Sequence, residues 1–142
     1  MGDGVRRTPE RVMVCMSSAA DAPRVIRAGG RLAIHLGARW YAVYVETPRE
    51  ASGHIRPRDR DALQRNIVLA EQLGATIVRV KADSPADGLI AFAMREGITH
   101  VVFGQTARRR LEILIKGSVL NRFVDEVRDA AVQVVPFGES AA

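Results

Sequence analysis

Five short apolar runs, separated by stretches with helical spacing, restrict this chain to very few folds. The runs are RVMVCM (11–16), WYAVYV (40–45), TIVRV (76–80), HVVFG (100–104) and AVQVV (131–135). They are rich in β-branched and aromatic side chains, as pleated strands prefer. Most are apolar on both faces, so they suit strands covered on both sides. Between the first two runs, Val25, Gly29, Leu32 and Leu36 recur at helical intervals, and Ile26 and Ala33 widen the stripe. In the next gap, residues 58–73 place Leu63, Ile67, Ala70 and Leu73 on one face. Ser84, Pro85 and Asp87 then open a third helix. Serine can cap it, proline fits the first turn, and an acid stands three residues after the cap. Leu89, Ile90, Ala93 and Met94 are its expected apolar face. Val119, Leu120, Phe123, Val124 and Val127 mark a fourth helix. Gly37, Gly74 and Gly97 stop the first three.

The order is therefore β-α-β-α-β-α-β-α-β. Strands alternating with helices imply an α/β fold, with a parallel sheet sandwiched between helical layers and right-handed crossovers. The 142 residues are one domain's worth of chain, and 47% are hydrophobic, enough to build a core. Residues 11–136 read as that domain, with a polar lead at 1–10 and a tail at 137–142. No run approaches the roughly 18 consecutive apolar residues of a membrane-spanning helix. The opening MGDGVRRTPE lacks the apolar centre of a secretory signal, so the expected location is cytoplasmic. Cys15 is the single cysteine and can form no internal disulfide. His35, His54 and His100 lack metal-ligand spacing.

The formal net charge is +5. A basic chain favours anionic partners. Aromatics are only 5% of residues and do not interleave with the basic ones, so nucleic acid is not the expected partner. A phosphorylated small ligand fits better. In parallel α/β sheets ligands bind beyond the carboxyl ends of the strands, where the strand order reverses. That rule gathers Ser17, Ser18 and Ala19 after the first run, Tyr44 to Thr47 after the second, and Gly104 to Arg110 after the fourth. Gly104 lets a strand end approach a ligand. Gly117 and Ser118 open the fourth helix, where free N–H groups and the helix dipole favour an anion. Arg108, Arg109 and Arg110, with Lys116, are candidate phosphate partners. Each feature also has a plainer reading, as a turn, a cap or a solvated charged face.

These residues carry a resemblance. Gly104-x2-Ala107-x9-Gly117-Ser118 resembles the G-x2-G-x9-G-[S/T] signature of ATP-binding universal stress proteins, with Ala107 in place of the second glycine. The stretches ERVMVCMSS, LGARWYAVYVETPR and FGQTARRR…LIKGSVLNRFVDE resemble one branch, the universal stress domain of the potassium-sensing histidine kinase KdpD. The resemblance implies a Rossmann-like three-layer αβα sandwich, with a five-stranded parallel sheet in the order 3-2-1-4-5. It implies a regulatory module that binds an adenine nucleotide, ATP or cyclic di-AMP, and signals through protein contacts. Ser17 would contact ribose or phosphate, and Tyr44 with its neighbours would frame the base. Trp40 to Tyr44 fits the aromatic block associated with cyclic di-AMP, but Ala19 replaces that motif's second serine. Ser17 stands where ATP-binding members carry an aspartate. The resemblance also implies a homodimer through the last strand, and a sensor kinase or another signalling protein as partner. A kinase itself does not fit in 142 residues, and Met1 with its short flanks reads as a free-standing protein rather than an excised domain. The alternatives are a ligand-free dimeric interaction protein, then direct DNA or RNA binding through the arginines on charge alone, and last a slow ATPase using Glu46 or Asp83. No enzymatic activity is expected.

Overall fold

A computed structural model describes residues 9–48, 53, 55–105 and 130–136. Within them are β1 (Arg11–Cys15), α1 (Ala22–Leu36), β2 (Arg39–Glu46), α2 (Pro57–Gln72), β3 (Thr76–Lys81), α3 (Pro85–Glu96), β4 (His100–Gly104) and β5 (Ala131–Val135). The fourth helix and the two terminal flanks of the sequence reading lie largely or wholly outside the described residues. No described helix is long and apolar enough to cross a membrane.

The five strands form one all-parallel sheet in the order β3-β2-β1-β4-β5, as the resemblance implied. The order reverses at β1, which pairs with β2 on one side and β4 on the other. Val14 lies opposite both Ala42 and Val102. The central strands β1 and β4 are almost wholly buried, as continuous apolar runs require.

Two cores result, one on each face. Val12, Val14, Trp40, Ala42, Tyr44 and Val102 meet α1 and α2 through Val25, Ile26, Leu63 and Ala70. Met13, Val43, Val45, Val101 and Phe103 meet α3 through Ala86, Leu89, Ile90, Phe92 and Ala93. Full burial of side chains such as Met13, Ile26 and Phe103 contributes roughly 2 kcal/mol each before cavity and strain effects. Helices approach the sheet closely at glycines. A Cβ on Gly29 would overlap Val14 Cγ2, and one on Gly88 would sit 2.9 Å from both Val45 methyls.

The helix ends follow the sequence reading. Gly37 and Gly97 take left-handed conformations with φ of 60° and 64°, and Ala38 N–H and Ile98 N–H donate back to Ala33 O and Ala93 O. Ser84 Oγ accepts from Asp87 N–H at 3.2 Å, capping α3. One apolar face is corrected. Met94 is 57% exposed, and Phe92 takes the buried place instead. Residues 86, 89, 90 and 93 define the stripe facing the sheet, and Phe92 widens it on the flank toward β2. There its ring meets Tyr41 edge-on at 5.6 Å. Met94 falls on the opposite flank, toward solvent.

Candidate functional site

The edge expected to take a ligand lies where the paired strands β1 and β4 run out side by side. β1 leaves the sheet at Cys15, and Met16 N–H still donates to Val43 O at 2.9 Å. The chain then turns. Ser17 Oγ accepts from Ala19 N–H at 3.1 Å, a local serine turn. Ala22 N–H donates to Ala19 O, and Asp21 O accepts from Arg24 and Val25 N–H to start α1. Ser17, Ser18 and Ala19 are half-buried there.

Two residues of this region were not singled out in the sequence. Asn66 is 6% exposed on the inner face of α2, and its Nδ2 donates to Ser17 O at 2.8 Å. It spans 49 positions of sequence and ties the turn after β1 to the helical layer. Its signal was present: a lone amide on the apolar stripe between Leu63 and Ala70. The second is Asp21, only 8% exposed, at the N-terminus of α1. An acid opening a helix reads as a routine cap, which concealed it. In place it gives no side-chain cap to its own helix. Its carboxylate lies over the end of β4 instead.

Gly104 shows why. A Cβ built there would come within 2.7 Å of Asp21 Oδ2 and 2.8 Å of Val25 Cγ2. The close approach that this glycine allows is occupied by the chain's own α1. Tyr44 lies one strand away on β2 and is buried in the α1–α2 core with Trp40, Met16 and Leu63. The structure thus brings Ser17, Ser18 and Gly104 to one edge, with Asp21 between, and sets Tyr44 in the adjoining core. Arg108, Arg109, Arg110, Gly117 and Ser118 lie outside the described residues, as do Ala107 and Lys116.

Next along the same edge is a cleft of about 340 Å³ lined by Glu46, Thr47, Pro48, Lys81, Ala82 and Asp83. It forms where β2 and β3 end together. Glu46 is the register partner of Lys81, and Ala82 N–H donates to Glu46 O. Glu46 and Asp83, the two acids of the sequence reading, therefore share one cleft, and Lys81 stands with them. Burial among core side chains pushes the Cys15 thiol far above its ordinary range, which keeps it a neutral packing group.

The chain has recognisable relatives. It is 28% identical to the sensor protein KdpD of Clostridium acetobutylicum over 88% of its length, which is 13% of that protein. It spans only 12 to 30% of the length of the curated sensor relatives it matches. Among solved structures it is similar to a universal stress protein in complex with cAMP. The TM-score is 0.61 at 19% identity, covering 92% of this chain and 98% of that one. It is also similar to a universal stress protein from Archaeoglobus fulgidus in complex with dAMP, with a TM-score of 0.53 at 19% identity, covering 91% and 97%. These likenesses establish the shared fold. The model of the universal stress protein family matches residues 9–128. With the parallel sheet, its strand order and this match over most of the sequence, the chain belongs to the universal stress protein family.

Proposed function

We propose that the chain is a regulatory module that binds an adenine nucleotide such as ATP or cyclic di-AMP, has no chemistry of its own, and signals through contacts with another protein. The observation that carries this reading is the reversal of strand order at β1. It sets the Ser17–Ser18 turn beside the end of β4 at Gly104, the position at which parallel α/β sheets take ligands. The complexes of similar stress proteins with cAMP and dAMP support it. Gly117 and Ser118 would hold phosphate with backbone N–H groups, and Arg108, Arg109 and Arg110 would neutralise its charge. The likeness to sensor proteins supports a signalling protein, a sensor kinase among them, as the partner that reads the bound state.

A bound nucleotide stabilises the folded chain by about 2.7 kcal/mol at a hundred times its dissociation constant. The test is a thermal-shift titration with ATP, ADP, AMP and cyclic di-AMP on wild type, Arg109→Ala and Gly117→Val. A rise in Tm with one nucleotide, lost in both variants, is expected. No rise with any of the four would sink the reading.

One observation favours a second reading. Asp21 and Val25 already fill the close approach that Gly104 allows. A ligand-free interaction protein, dimerising through the edge strand β5, needs no ligand there. Unchanged Tm with every nucleotide, together with a dimer in sedimentation, would select it.

A further inference from the structure

The charge of the described helices is unevenly distributed. α2 mixes Arg58, Arg60 and Arg65 with Asp59, Asp61 and Glu71. α3 carries Asp87 and Glu96, and Glu96 lies 3.6 Å from Arg95. α1 has Arg24, Arg27 and Arg31 and no acid at all. All three arginines are exposed, and none makes an ion pair among the described residues. With Ile34 and His35 they fall within about a third of the helix circumference, over a length of about 16 Å. Ile34 is 83% exposed, the barest large apolar side chain among the described residues.

Helix stability does not explain this stripe. Arg24 stands in the first turn, where the helix dipole disfavours a cation. Arg27 and Arg31 are like charges four residues apart, which is also unfavourable. Local preference is set aside on an exposed face that packs against nothing described, and such departures are expected at functional surfaces.

We propose that the outer face of α1 is a docking surface for an acidic amphipathic helix of a partner protein, its carboxylates pairing with Arg24, Arg27 and Arg31 and an apolar side chain covering Ile34. Charge complementarity and width identify the occupant. Arginine pairs carboxylates in bidentate fashion, and the stripe is one helix wide. The adjoining α2 balances its three arginines with three acids, so the net positive charge does not continue across both helices as a duplex phosphate backbone would require. One exposed isoleucine without an exposed aromatic on the stripe gives too little apolar area to hold a membrane surface. A second copy would bring a like-charged stripe. The inference is independent of whether the β1–β4 edge binds a nucleotide.

The test uses the intact chain and fluorescence anisotropy. The probe is a labelled helical peptide with Glu at successive i, i+3 and i+7 positions and Leu on the same face. A Lys-for-Glu twin, phosphatidylglycerol–phosphatidylcholine vesicles and duplex DNA serve as competitors for the interpretation. The Glu peptide is expected to bind wild type. Binding should weaken about tenfold or more in Arg27→Glu/Arg31→Glu, fall with added salt, and weaken less in Ile34→Ser. The Lys twin should bind the charge-reversed variant better than wild type. Circular dichroism and Tm verify that the variants are folded, and Arg27→Gln/Arg31→Gln replaces the reversal if it is not. Equal binding of the Glu peptide to wild type and folded variant overturns the proposal. So does the absence of peptide binding to wild type, with or without binding of vesicles or DNA.

Discussion

The two ends of the sheet are built from the same strands and differ in what their polar groups do. At the amino end they satisfy one another. Arg11 N–H donates to Thr99 Oγ1 at 2.9 Å, and that hydroxyl donates to Arg11 O at 3.1 Å. The Arg11 guanidinium donates to Glu96 O at 2.7 Å, and His100 Nδ1 lies 3.2 Å from Glu10 Oε2. Helices arrive at this end and are closed by their own backbone at Gly37 and Gly97. At the carboxyl end, helices begin rather than finish. Asp21, Ser17, Glu46, Lys81 and Asp83 gather there, at the β1–β4 edge and around a cleft. The lesson is that chain direction separates the tasks. Ends of strands that receive helix C-termini can be sealed, and ends that launch helices keep room for a ligand.

The contrast can be broken by substitution. The largest effect is expected for Gly104→Val. Its side chain must displace Asp21 and Val25, and overpacking of this kind costs about 3 kcal/mol, read as a fall in denaturant midpoint. An unchanged midpoint would mean that the carboxyl end is loose rather than packed. Next is Thr99→Val at the sealed end. It leaves Arg11 N–H without its partner and should cost about 2 kcal/mol, while any Tm shift found with a nucleotide should stay as in wild type. A changed nucleotide response would erase the separation between the ends.

Asn66→Ala sharpens the comparison from the other side. It removes one bond to Ser17 O, worth about 1 kcal/mol, and should quicken hydrogen exchange in the turn after β1 but not around Thr99. The smallest effect at neutral pH concerns Cys15, the last residue of the central strand β1. Its folded thiol ionises far above the ordinary value of 9.0, so the unfolded chain loses its proton first. Stability from this group is fully present below that value and declines as pH rises through it, at a limiting slope of about 1.4 kcal/mol per pH unit. Cys15→Ala should lack that alkaline decline, and at neutral pH the wild-type thiol should react with a disulfide reagent only on unfolding.

Much of the fold was legible because its signals are local. Val12 to Cys15 and Val101 to Phe103 read as buried strands from composition alone. Gly37, Gly97 and the Ser84–Pro85–Asp87 triplet marked helix ends within a few residues of the events they control. The flank of α3 was less legible. Phe92 and Met94 sit on opposite flanks of the stripe, and the flank that is covered, where Phe92 meets Tyr41, is set by a distant strand. The site was partly legible. Ser17, Ser18 and Gly104 follow from where strands end in a parallel sheet. Asn66 and Asp21 do not, since each is an ordinary helix residue until a partner 49 or 83 positions away gives it a role.

The sequence by itself determined the alternation, and with it the parallel sheet and both cores, because hydrophobic periodicity acts within a few residues. The tertiary structure alone decided which polar groups meet. Ser17 reached Asn66, and Gly104 received Asp21, through contacts between distant segments that no local pattern encodes.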